Sequence, residues 1–170
     1  CFKAYHGSSH GSLAASGSEI FKQNFRPLVP GISHIPYGSF SDLDRIDEQT
    51  AAVIVETIQG EAGVYISCSH WFQKLKERCE EVGTLLILDE IQCGFGRTGE
   101  FFAFQKHDIQ PDIISMAKGM GNGFPIGGIL IHPNIKASFG LLGTTFGGNH
   151  LACSASLAVL EVLEEENLMQ

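Results

Sequence analysis

Two short apolar runs, each closed by an acidic residue and separated by a segment of helical period, constrain this chain more than any other feature. Ala51-Ala52-Val53-Ile54-Val55 ends in Glu56, and Thr84-Leu85-Leu86-Ile87-Leu88 ends in Asp89. Runs of that length without polar alternation predict strands buried on two faces. Between them Trp71, Leu75, Cys79 and Val82 recur every three or four residues among Lys74, Lys76, Glu77, Arg78, Glu80 and Glu81. That spacing predicts an amphipathic helix, and Gly83 is placed to end it. Strand, crossover helix and strand make a βαβ unit, which implies a parallel sheet with a right-handed connection and an α/β fold. Asp112 to Met116 and Ile126 to Ile131 extend the sheet, and Leu151 to Leu163 reads as a closing helix.

Composition bounds the rest. The 170 residues, 44% apolar and 18% charged, suffice for one core and exclude a disordered tail. The longest apolar run, Phe124 to Ile131, is interrupted by Pro and Gly and falls far short of the ~20 residues that span a bilayer. A net charge of -8 with no block of Lys or Arg argues against nucleic acid or a membrane surface as partner. Five cysteines, an odd number without a C-x-x-C, argue against a disulfide framework or a metal site and predict a reducing, cytoplasmic setting. The chain opens on Cys1 and stops just after the acidic run Glu164 to Glu166, so it is expected to be a piece of a longer protein.

In open α/β sheets ligands sit beyond the carboxyl ends of the strands, where Glu56 and Asp89 fall. Such acids can fix a cation or a protonated ring nitrogen, or they can simply cap the next turn. Gly94-Phe95-Gly96-Arg97-Thr98-Gly99 matches G-x-G-x-x-G, but five residues separate it from the strand and place Asp89 and Glu90 where a pyrophosphate would approach. A nicotinamide module would also want an acid about 20 residues beyond the glycines; Asp112 comes too early. Lys118 stands between a β-type segment and the glycine-rich 119–128, with no acid nearby in sequence. A lysine so placed is either a surface lysine or a Schiff-base amine freed by desolvation, and PLP chemistry needs such a lysine together with an acid for the pyridine nitrogen. His6 and His10 lack a third ligand and read as a polar loop.

Five motifs then coincide: Tyr5-His6-Gly7; Val55-Glu56-Thr57-Ile58-Gln59-Gly60-Glu61-Ala62-Gly63; Leu88-Asp89-Glu90-Ile91-Gln92-Cys93-Gly94; Ala117-Lys118-Gly119; and Gly143-Thr144-Thr145-Phe146-Gly147-Gly148-Asn149. In order and spacing the sequence resembles the class III, PLP-dependent aminotransferases, most of all their ornithine and N-acetylornithine branch. The resemblance implies a type I PLP-transferase large domain, a three-layer α/β/α sandwich on a mainly parallel sheet, of which residues 1–170 form the central part. It implies that the substrate segment and phosphate turn upstream, and the small domain downstream, lie outside this chain. It further implies that Lys118 holds PLP as a Schiff base and shuttles the proton, and that Asp89 pairs with the ring nitrogen. Gln92 would lie near the phenolic oxygen and Tyr5 on the ring face. Thr145 would reach the phosphate of the neighbouring subunit in a homodimer, with Thr144, Glu56 and Glu61 on the substrate side. By the same comparison Arg97 is structural.

The activity so implied is transfer of an amino group from ornithine or N-acetylornithine to 2-oxoglutarate. One departure bears on the donor: many ornithine-type members carry Arg after Tyr-His-Gly, whereas here Ser8 follows. A 4-aminobutyrate or lysine aminotransferase would share every motif quoted. The isolated chain, lacking the phosphate turn, could also be an inactive domain.

Overall fold

The computed structural model describes residues 1–169. The strands are β1 (Ala52–Glu56), β2 (Ile58–Gln59), β3 (Tyr65–Ile66), β4 (Leu85–Asp89), β5 (Ile113–Met116) and β6 (Gly128–Ile131). The helices are α1 (His10–Ala15), α2 (Glu19–Lys22), α3 (Ser69–Val82) and α4 (His150–Glu165), joined in places by short 3-10 turns.

The main sheet runs β1-β4-β5-β6. β1, β4 and β5 are parallel and β6 is antiparallel to β5. The mainly parallel α/β sheet expected from the sequence is therefore present. Its last strand starts later than the apolar run suggests, at Gly128, with Ile126 outside it. Pro125 has no N–H to give a ladder, and Gly121 and Gly123 favour a turn over an extended strand.

α3 covers one face of the sheet. Trp71, Phe72, Leu75 and Cys79 are fully buried against Val55, Leu86 and Leu88. Trp71 also donates its indole N–H to the Ser39 carbonyl at 2.9 Å. Gly83 ends the helix at φ 73°, a left-handed conformation that glycine adopts without a Cβ penalty. The opposite face, with Leu85, Ile87 and Ile113, is only half-buried. β1 likewise departs from burial on two faces: Ala52 is exposed, and burial grows toward Glu56. Of the α/β/α sandwich this chain thus builds the sheet and, with α3, a helical layer on one face. No helix among the described residues is long and apolar enough to cross a membrane.

Candidate active site

In register, Glu56 lies beside Asp89 and Asp89 beside Ser115, one row across the carboxyl end of the sheet. Side chains in register share a face, here the one opposite α3. Chain leaving β5 makes a sharp 3-10 turn, Lys118–Met120, in which Lys118 has φ 42°. Positive φ is unusual for a residue with a side chain, and such outliers concentrate at functional sites. The tight β1–β2–β3 excursion carries Glu61 at its tip, and the chain start brings in Tyr5.

The outcome is one cleft lined by Tyr5, His6, Gly7, Glu56, Glu61, Asp89, Ile91, Gln92 and Lys118. Six residues singled out from sequence, namely Tyr5, Glu56, Glu61, Asp89, Gln92 and Lys118, therefore meet in space. The hollows beside α4 and below β6 gather no comparable set of titratable groups. Thr144 and Thr145 do not join the cleft; both are exposed in the 138–149 loop. Lys118 itself is exposed, so the residues of this chain do not supply the desolvation expected for it.

Asp89 is 4% exposed. Its Oδ2 lies 2.8 Å from His6 Nδ1, and its Oδ1 accepts the Ile91 N–H at 3.1 Å. An ionised carboxylate only accepts, which assigns the His6 proton to Nδ1. His6 Nε2 is then a buried atom with no partner. His6 does lie in the loop before α1, but its side chain is buried, and its main-chain N–H is fixed by Ser16 Oγ at 2.9 Å. Nothing local could have revealed this, because the partner lies 83 residues away in sequence. Glu56 is buried too and accepts the Tyr5 N–H at 3.0 Å. Burial above all pushes its carboxyl above the ordinary range, with the charge of Asp89 adding to the rise and the Tyr5 N–H opposing it.

Close approach of backbone shapes the remaining wall. A Cβ on Gly60 would lie 1.5 Å from Gln92 Oε1, so the Gln92 amide rests where only a glycine leaves room. The Tyr5 ring meets Phe21 edge-on at 5.6 Å, which holds its flat face in place. Three carboxylates against one lysine make the cleft suited to a cationic or N–H-bearing guest. Among the described residues no group of three or more His, Cys, Asp or Glu is arranged to hold a metal.

Known proteins resemble this chain over nearly its whole length. The profile of the class III aminotransferases matches residues 1–170. The acetylornithine aminotransferase of Methanopyrus kandleri is 47% identical over 167 residues, covering 96% of this chain and 43% of that protein. Its counterpart in Aquifex aeolicus is 46% identical, covering 95% and 44%. The solved ornithine aminotransferase of Toxoplasma gondii superimposes with a TM-score of 0.94 at 34% identity, covering 99% of this chain and 41% of that one. The chain belongs to the class III aminotransferases, a family of PLP-dependent transaminases. It spans less than half the length of the curated relatives it matches.

Proposed function

We propose that the protein carrying this chain transfers an amino group from ornithine or N-acetylornithine to 2-oxoglutarate, and that residues 1–170 are the central part of its PLP-binding large domain. The observation that carries the reading is the convergence of Lys118, Asp89, Tyr5, Gln92, Glu56 and Glu61, from four separate stretches of sequence, on a single cleft.

This donor set fits PLP. Both Asp89 oxygens keep unused lone pairs after bonding His6 and Ile91, so the carboxylate can accept a ring N–H. The Tyr5 ring offers a flat apolar surface, and the Gln92 amide offers a donor for a phenolic oxygen. When bound, the cofactor supplies an electron sink beside the carbon that bears the amino group. Among the described residues Lys118 is the only lysine or arginine lining the cleft. Its amine would hold the cofactor and would carry the proton away from the carbon that bears the donor's amino group. His6 keeps Asp89 aimed, and Asp89 keeps the ring nitrogen protonated. Glu56 and Glu61 line the substrate side of the cleft. Thr144 and Thr145 act from the exposed loop across a homodimer interface, Thr145 on the phosphate of the neighbouring subunit. A cytoplasmic location accords with the unpaired cysteines.

The test is PLP addition to the full-length protein and to its Lys118→Ala variant, followed by borohydride reduction and peptide mapping. A reduced linkage on Lys118, absent in the variant, supports the site; a linkage on another lysine sinks it. Turnover with 4-aminobutyrate but neither ornithine nor N-acetylornithine would overturn the donor assignment.

A further inference from the structure

The cleft has a fully buried counterpart on the other side of the sheet. Glu90, next after Asp89, is 0% exposed, and so is Thr57, next after Glu56. Successive side chains at a strand end point to opposite faces; Glu56 and Asp89 line the cleft, whereas Thr57 and Glu90 do not. Thr57 Oγ1 donates to Glu90 Oε1 at 2.6 Å. The same carboxylate accepts the main-chain N–H groups of Ala103 and Phe104, each at 2.9 Å, and the Cys93 thiol at 3.3 Å. The Thr57 carbonyl is itself held by the Tyr37 hydroxyl at 2.7 Å.

We infer that Glu90 and Thr57 form a positioning clamp that sets the spacing and aim of Glu56, Asp89 and Gln92 toward the cofactor. The inference rests on the reading that PLP occupies this cleft. Among the described residues no cation pairs with Glu90, and four donors on one buried carboxylate fix it far more tightly than a turn requires. The bonds join the residues that follow β1 and β4 and the 3-10 turn at Ala103–His107. One bond thus locks the two strand ends that present the cleft carboxylates. Through Cys93 it also holds the turn that presents Gln92. The side chains that meet the cofactor need their geometry fixed to a fraction of an ångström, and supporting hydrogen bonds provide that.

Thr57→Val, Thr57→Ser and Glu90→Gln in the full-length protein test the clamp. PLP affinity of the cofactor-free form, the pH midpoint of the bound cofactor's absorbance change and the melting temperature without cofactor are measured for each. Thr57→Val keeps the shape and leaves Glu90 three of its donors, so it reports even where Glu90→Gln does not fold. The clamp predicts that Thr57→Val weakens PLP binding about tenfold and moves the pH midpoint by about half a unit or more. Thr57→Ser, which retains the hydroxyl, should stay within about twofold of the parent on the same scale. Thr57→Val with a lowered melting temperature but unchanged affinity and midpoint would make the clamp purely structural and overturn the inference. A parent protein that takes up no PLP on Lys118 would overturn the proposed function, and the inference with it.

Discussion

Asp89→Asn isolates what the buried acid does before any cofactor arrives. The carboxylate offers an oxygen to each of two donors, His6 Nδ1–H at 2.8 Å and the Ile91 N–H at 3.1 Å. An amide has one oxygen, so whichever way it turns, its NH2 faces one of those N–H groups. His6 could escape by moving its proton to Nε2, but that nitrogen is buried and has no partner. Every arrangement therefore leaves one buried donor unsatisfied, which costs about 1–3 kcal/mol. Urea denaturation of the cofactor-free full-length protein should show a loss of that size with an unchanged m-value. PLP affinity should fall further, because the amide no longer favours a protonated ring nitrogen. A cofactor-free stability within about 0.5 kcal/mol of the parent, inside the range of ordinary surface substitutions, would refute the argument.

Other side chains give further outcomes. Gly60→Ala places a methyl group on Gln92 Oε1, the free end of a flexible side chain; stability should change by less than about 0.5 kcal/mol while a crystal structure shows Gln92 displaced. An unmoved Gln92 would contradict this. Leu75→Ala empties a fully buried site under β1 and β4 and should cost about 2–5 kcal/mol in denaturation. His107 stacks on Phe72 at 4.3 Å, and burial lowers its pKa below 6.5. The unfolded chain then binds a proton that the folded one resists, so this contribution is full above pH 6.5 and is lost as the pH falls toward the lowered value. His107→Phe should flatten the acid side of the melting-temperature profile between about pH 7.5 and 5, a window set around the ordinary histidine value; an unchanged slope would show that His107 is not its source.

What the sequence made legible was whatever depends on near neighbours. β1 and β4 stand out as continuous apolar runs, β5 as a strand-length segment after Asp112, α3 as a 3.6-residue period, and Gly83 as the residue able to take a positive φ at its end. The antiparallel direction of β6 is not written in Ile129-Leu130-Ile131, because an apolar run reads the same in either pairing. The structural roles of His6 and Glu90 were not legible for a different reason. Their partners lie at Asp89 for the one, and at Thr57, Cys93, Ala103 and Phe104 for the other, so their importance exists only after the sheet has formed. Helices α1 and α2, of six and four residues, are too short for a period to emerge.

The placement of Lys118 shows how the sheet makes a site from distant parts. A residue continuing β5 in extended form would carry its amine along the strand and away from the Glu56–Asp89 row. The turn at Lys118–Met120 prevents that, at a cost of about 1–3 kcal/mol for a side-chain-bearing residue at positive φ. Something must hold the turn against that strain, and two supports are visible. A Cβ on Gly119 would stand 3.0 Å from Phe95 Cβ, so the turn is seated directly on the loop that leaves β4. α4 packs on the turn from outside, its start fixed by the Asn149 side chain accepting the Ala152 N–H at 3.0 Å. The loop after β4 therefore both supports the lysine's turn and, through Glu90, is tied to the end of β1. Lys118 and Asp89, the proposed tether and acid, are positioned by one connected stretch, so a perturbation of that stretch should shift both together.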